Sequence, residues 1–259
     1  MNTNRNANFL KLSEGFLPAL SVDIVIFGFH QNELKILLLE LNGHENWGLP
    51  GGFVLQDEHL HDAAKRVLKE RTGLTDIFLE QFYIFGDPGR NQSNNRAAQL
   101  EKQIVDDAYA KEVREWFLKR FVTVGFYALV EYTMVDPKQD FLSLKCEWCD
   151  INAFPSLVLD HREIVEKALQ TLRQNINFQP IGINLLPKEF TMPELQHLYE
   201  TILGRALDRR NFQKRILAYN IVSRLPQKRT GGAYKAPYLY AFNEATYQQA
   251  LQNGLKNAW

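Results

Sequence analysis

Two short apolar runs, VDIVIFGF (22–29), rich in β-branched residues, and LKILLLEL (34–41), flank the polar stretch HQNE. Runs of this length around a polar break predict the two strands of a hairpin. A loop rich in Gly, Asn and Pro follows, then GGFVL (51–55), then a helical stretch from about His59 to Arg71. Gly73 stands just past that helix, where a left-handed cap is needed. IFLEQFYIF (77–85) predicts a further strand, FVTVGFYALVEYTMV (121–135) the longest one, and LKCEWCDI (144–151) another. In HREIVEKALQTLRQ (161–174) the apolar residues fall at 164, 165, 168, 169 and 172, one face of a helix.

The segment DPGRNQSNNRAAQLEKQIVDDAYAKEVREWFLKR (87–120) breaks this alternation. DPGR has turn chemistry. The rest is polar and helix-forming, anchored by Trp116 and Phe117, and reads as an insertion at about 91–119 between two strands. NINFQPIGINLLPKEF (175–190) has two prolines and no period, so the domain junction is placed there. Beyond it Thr191 and Glu194 form the signature of a capping box, with Pro193 in the first turn and Gly204 as the stop. Asp208 is a good N-cap for DRRNFQKRILAYN (208–220). Helix, three-residue turn, helix is the helix-turn-helix spacing.

Composition narrows the class. The 259 residues are 45% hydrophobic and 23% charged, a globular balance with room for one large domain or two ordinary ones. No apolar run approaches the roughly 20 residues that span a bilayer, and MNTNRNANFLKLSEGF lacks the layout of a secretory signal, so a cytoplasmic, non-membrane protein is expected. Cys146 and Cys149 have no second pair to complete a zinc site and lie in a strand-like stretch, which favours simple packing. Formal net charge is zero but unevenly spread: residues 1–180 hold 19 Lys+Arg against 25 Asp+Glu, and residues 181–259 hold 11 against 5. The basic C-terminal part is suited to an anionic polymer.

The strongest motif is GLPGGFVLQDEHLHDAAKRVLKERTGL (48–74). Gly52, Glu58, Arg66, Leu68, Glu70, Gly73 and Leu74 match the spacing of the Nudix box, and the stretch from about 15 to 175 resembles the Nudix fold of diphosphate-cleaving hydrolases. In that pattern three helical carboxylates at the positions of 67, 70 and 71 share one face, because i, i+3 and i+4 are neighbours. Together they would hold Mg²⁺, which takes oxygen ligands and polarises phosphoryl oxygen. Here the three positions are Val67, Glu70 and Arg71. One carboxylate remains, and a fixed positive charge stands where the dication belongs. The box therefore reads as catalytically degenerate: no catalytic residue, no metal site and no cofactor are assigned.

Such a domain keeps a preformed pocket. Glu58, Glu70, Arg71, Tyr83, Asp87 and Arg90 are the candidate effector-binding residues, the arginines because guanidinium suits planar two-pronged contacts to phosphate or carboxylate. Arg90 and Asp87 have turn stabilisation as the competing role. His59 and His61 read as surface residues, and Asp160 as a helix cap.

In the second helix of the pair Phe212, Ile216 and Tyr219 are spaced to pack inward, which leaves a polar stripe of Arg210, Asn211, Lys214 and Arg215 beside Arg209. Arg and Asn read base edges in the major groove, and basic neighbours clamp phosphates. RLPQKRTGGAYKAPYLYAF (224–242) reads as strand, basic turn, strand; Pro237 predicts an edge strand. This is the layout of a winged helix, and the candidate DNA contacts are Arg209, Arg210, Asn211, Lys214, Arg215, Lys228, Arg229 and Thr230.

The whole combination resembles the Nudix-related transcriptional regulators, which join a Nudix-like sensor to a C-terminal winged helix. GLPGGFV with DPGR, and DRRNFQKRIL with LPQKRTGGAYKAPYLY, look nearest the sugar-responsive branch that includes arabinose regulators; the next branch senses NAD-related metabolites such as ADP-ribose. The resemblance implies an α+β chain: a Nudix-like mixed-sheet α/β/α sandwich at 1–176 and a winged helix-turn-helix domain at 177–259. It further implies a homodimer, a double-stranded DNA operator and a sugar or nucleotide-sugar effector, with carbohydrate metabolism as the setting. The alternative is a hydrolase of ADP-ribose or another nucleoside diphosphate derivative.

Overall fold

The computed structural model describes residues 11, 13–41, 47–75, 77–90, 110–139, 143–229 and 236–255. Residues 91–109, most of the expected insertion, and Thr230 lie outside the described residues. The chain divides into two compact units. The first is Met1–Phe27, Ile36–Ala128 and Val135–Ala168; the second is Gly28–Lys35, Leu129–Met134 and Leu169–Trp259.

The predicted hairpin is formed by β1 (Phe16–His30) and β2 (Glu33–Leu41). Its turn residues Gln31 and Asn32 have φ of 50° and 64°, the left-handed pair that a tight two-residue hairpin needs. With β3 (Trp47–Gly48), β4 (Gly51–Leu55), β5 (Phe78–Phe85), β6 (Val122–Glu131) and β7 (Ser143–Asp150) they build a seven-stranded sheet in the order β3-β2-β1-β6-β5. β4 pairs with β1 and β7 with β2. Residues 22–29 of β1 are all buried, so both faces of this central strand are covered, which is why the run, Asp23 apart, is apolar rather than alternating.

The helices are α1 (Leu60–Thr72), α2 (Ala110–Leu118) and α3 (His161–Asn175). α1 begins at His59, whose side chain accepts from the His61 amide, and ends at Gly73 with φ 74°. In α3 Ile164, Val165, Ala168 and Leu172 are buried as their spacing predicts. Trp116 and Phe117 of α2 pack with Val113 against Phe16 and Phe53, the anchor expected of that segment. The strand expected over 121–135 stops at Glu131 and continues as a 3-10 turn at Tyr132–Met134. The Glu131 carboxylate takes the Thr133 amide and hydroxyl, and this local bonding competes with the sheet. Cys146 and Cys149 are half-buried on β7, three apart and so on opposite faces; they form no disulfide.

In the second unit β8 (Phe190–Thr191) leads into α4 (Met192–Leu203), followed by α5 (Arg209–Ala218), β9 (Val222–Lys228), β10 (Tyr238–Phe242) and α6 (Glu244–Asn253). The Thr191–Glu194 capping box, the left-handed Gly204 and the Asp208 N-cap are all present. The three strands run β8-β10-β9, so β10 is central, which corrects the edge position expected from Pro237. Pro237 stands one residue before β10, where its carbonyl accepts from the Arg229 amide and no donor is required of it. α6 has no counterpart among the predicted elements; its Tyr247 is buried and donates to the Pro180 carbonyl at 2.7 Å. Phe190, Leu195, Leu198, Tyr199, Ile202, Phe212 and Ile216 form the core around these helices.

Candidate effector site and DNA-binding surface

The glycines of GLPGG are required by what lies behind them. A Cβ at Gly51 would sit 2.4 Å from Asp23 Oδ1 and 2.9 Å from the Val22 carbonyl; one at Gly52 would sit 2.7 Å from Val67 Cγ2. β4 and α1 therefore approach closely enough to fix the loop between them. Across that loop Arg66 donates to Glu58 through Nε at 2.8 Å and Nη2 at 2.9 Å, and through Nη2 to the Phe53 carbonyl at 2.9 Å. Glu58 also accepts from the Leu55 amide at 3.2 Å. The Arg66 hydrogen bonds hold the Glu58 carboxyl below its usual range, against the opposing pull of burial. Glu58 thus ties loop to helix.

The three positions that would carry metal in a Nudix hydrolase do not fit a dication. Val67 is buried beneath Gly52, and Arg71, one turn further along the same face of α1, is buried as well. Arg71 Nη1 donates to the Gln139 carbonyl at 3.3 Å, while Lys138 donates its amide to the Arg71 carbonyl, so the end of α1 is stitched to the strand-leading loop at 136–139. Glu70, 46% exposed at its side chain, lies 3.5 Å from Arg66 and 3.9 Å from Arg71. A lone carboxylate between two guanidiniums is already neutralised. Glu58, Glu70 and Arg71 are thereby brought together as a chain of ion pairs through Arg66.

Tyr83, Asp87 and Arg90 make a different set of contacts. Tyr83 is exposed, with Lys167 Nζ 5.3 Å from its ring centre. Asp87 closes the DPGR turn: its Oδ1 accepts from the Gly89 amide at 2.6 Å and its carbonyl from the Arg90 amide at 3.2 Å. The Arg90 side chain is only 3% exposed and turned inward. It grips Asp160 with Nε at 2.7 Å and Nη2 at 2.8 Å, donates Nη1 to the Phe121 carbonyl at 3.1 Å, and has Asp23 at 3.8 Å. Burial works against the Arg90 charge, yet Asp160 and Asp23 more than offset it and its pKa is raised. Asp160 is thus a partner of Arg90 rather than the side-chain helix cap expected of it. His161, buried beside it, accepts from the Leu49 amide at Nδ1 (2.9 Å) and has Asp23 3.9 Å from Nε2. Asp23 and His161 carry no motif signal and escaped the sequence reading; Asp23 was legible only as a charged residue within an apolar strand.

On α5 Arg209, Arg210, Asn211, Lys214 and Arg215 are all exposed, Phe212 and Ile216 are buried and Tyr219 is half-buried, as the spacing predicts. The turn before α5 is held by α4. Glu200 accepts from the Leu207 amide at 2.8 Å and from Gln196 Nε2 at 2.9 Å, and Gln196 also donates to the Leu207 carbonyl. Lys228 is exposed at the end of β9, and Arg229 is paired with Glu194 at 2.6 Å.

The NUDIX domain profile matches residues 17–168, and that of the NrtR DNA-binding winged helix domain matches residues 182–242. The ADPR responsive transcriptional repressor NtrR of Acinetobacter baylyi is 31% identical over 232 residues, 87% of this chain and 82% of its own length. The crystal structure of Shewanella oneidensis NrtR complexed with a 27mer DNA is 27% identical with a TM-score of 0.70, covering 93% of this chain and 99% of that one. A MutT/nudix family protein from Enterococcus faecalis, 22% identical with a TM-score of 0.61 over 92% and 93% of the two chains, shares the fold. The Acinetobacter relative is a repressor responsive to ADP-ribose, and the sugar-responsive branch expected from sequence is not borne out by these relatives. No described helix is long and apolar enough to cross a membrane. The chain belongs to the Nudix-related transcriptional regulators, a Nudix domain followed by an NrtR-type DNA-binding winged helix.

Proposed function

We propose that this chain is a cytoplasmic, homodimeric transcriptional repressor whose Nudix domain, at 1–176, senses ADP-ribose or a closely related nucleotide sugar without cleaving it. The winged helix at 177–259 would hold the operator, with Arg209, Arg210, Asn211, Lys214 and Arg215 facing the DNA together with the wing. The observation that carries this reading is the replacement of two of three metal-binding carboxylates by Val67 and Arg71 while the Glu58–Arg66 tie that shapes the site is kept. The Acinetobacter relative supports ADP-ribose over a free sugar.

In the effector site Glu70, Arg71 and Tyr83 are the groups proposed to meet the ligand, with Glu58, Asp87 and Arg90 holding the walls in place. An effector can switch DNA binding only if it has different affinities for the DNA-competent and incompetent states. The test is calorimetric titration and thermal shift with ADP-ribose, with arabinose beside it, in the presence of EDTA. ADP-ribose at about 100 times its dissociation constant should raise stability by about 2.7 kcal/mol, and arabinose should not. Release of AMP and ribose 5-phosphate in the presence of Mg²⁺ would overturn the reading in favour of a hydrolase.

A further inference from the structure

The basic residues of the wing fall into two groups with different partners. Arg224 and Lys228 of β9 share one partner, the ring of Tyr238, whereas Arg229, the residue after β9, meets Glu194. Tyr238 of β10 is the cross-strand neighbour of Lys228. Its ring lies under both cations: Arg224 Cζ is 4.5 Å from the ring centre and Lys228 Nζ 4.7 Å. Both cations are exposed, and neither has a carboxylate partner among the described residues. The ring quadrupole attracts each of them but neutralises neither. Two unneutralised cations gathered about one ring attract an anion to that part of the wing.

Arg229 is placed differently. Its Nη2 reaches both oxygens of Glu194 at 2.6 Å, and Glu194 also accepts from the Thr191 amide and hydroxyl at 2.6 and 3.0 Å. That charge is neutralised, and its hydrogen bonds join the wing to the first turn of α4.

We infer that Arg224 and Lys228, held in place by the Tyr238 ring, form the wing's clamp for the phosphates of duplex DNA, and that Arg229 is the wing's tether rather than a phosphate contact. Tyr238 is a positioning residue in this arrangement. The inference rests on the DNA-binding reading above and assigns which wing residues carry it. Duplex DNA is the anion because these cations share a domain with the exposed basic stripe of α5 and an excess of 11 Lys+Arg over 5 Asp+Glu across 181–259.

Phosphate contacts release counterions, so each one adds about 0.9 to the slope of log affinity against log salt. The full-length protein is titrated by fluorescence anisotropy with a random-sequence duplex of 27 base pairs, the length present in the Shewanella complex, between about 50 and 200 mM salt. Arg224→Ala with Lys228→Ala should lower that slope by about 1.8 and weaken binding at least tenfold at about 100 mM salt. Tyr238→Leu should weaken binding severalfold, and Tyr238→Phe, which keeps the ring, should restore it. Arg229→Ala should keep the wild-type slope. An unchanged slope in the double variant, or a fall of about 0.9 in Arg229→Ala, overturns this assignment while leaving the DNA-binding reading intact. Folded wild-type protein that binds no duplex at any of these salt concentrations overturns both.

Discussion

Arg90 and Asp160, 70 positions apart, meet in a two-pronged ion pair at 2.7 and 2.8 Å with both side chains almost wholly buried. The pair joins the turn after β5 to the start of α3, and Asp23 and His161 extend it towards the GLPGG loop. A buried pair of this kind adds little over an apolar replacement, but removing one partner leaves an uncompensated charge. Arg90→Ala or Asp160→Ala alone should each cost about 3–5 kcal/mol in chemical denaturation, and the double change to Leu at both positions should cost much less than their sum. Additive losses would show the two residues to act independently.

The Glu58–Arg66 pair gives an acid limit to the stability of the Nudix domain. Glu58 has its pKa lowered in the folded chain, mainly by the Arg66 hydrogen bonds. The stabilisation from this group is therefore present above its unfolded pKa and is lost as pH falls through the lower folded value. Glu58→Gln should destabilise the wild type near neutrality, by about 1.5–3 kcal/mol for hydrogen bonds to a charged group, and the gap should narrow on acidification. Melting curves of both proteins from neutral to acid pH measure this directly. A gap independent of pH would remove the ionised carboxylate from the account.

Local rules made much of this fold legible. The Thr191–Glu194 box, Gly73 and Gly204 as left-handed caps, and Asp208 as an N-cap each follow from backbone groups that need partners at helix ends, and each is present. The α5 face was legible because 3.6-residue periodicity separates Phe212 and Ile216 from the basic stripe. What escaped depends on contacts distant in sequence. Nothing near Arg90 signals that Asp160 will face it, or that Asp23, among apolar neighbours on β1, will complete the cluster. Arg229 and Lys228 look alike in the sequence, and only contacts distant in the chain distinguish them, Glu194 for one and Tyr238 for the other. Pro237 misled because one position separates an edge strand from the residue that precedes a central one.

Restoring the missing carboxylates tests whether the site is degenerate by composition alone. Val67→Glu with Arg71→Glu would set three acidic groups on one face of α1, but position 67 is buried beneath Gly52. Without a cation the new carboxylate there lacks compensation, and the variant should be several kcal/mol less stable than wild type in EDTA. Added Mg²⁺ should recover part of that loss by binding only the folded state, and wild type should not respond. Differential scanning calorimetry with and without the ion distinguishes the two. An equal rise for wild type would mean that Glu70 and Glu58 suffice to hold the metal.

Helix α5, proposed above to face the operator, gives the sharpest separation of binding from folding. Arg210 and Lys214 stand four apart and exposed on α5, while the helix is held from its other face by buried Phe212 and Ile216 and capped by Asp208. Removing exposed charges far from those features changes stability by no more than about 0.5 kcal/mol. Each base contact made by such a residue contributes about 1–3 kcal/mol of discrimination. Arg210→Ala with Lys214→Ala should therefore weaken binding to the protein's own operator by two to three orders of magnitude, about 3–4 kcal/mol, with an unchanged melting temperature. The loss should be smaller on random-sequence duplex, because phosphate contacts elsewhere in the domain persist there. Equal losses on operator and random duplex would assign the pair to phosphates, and undiminished binding to both would remove α5 from the DNA interface altogether.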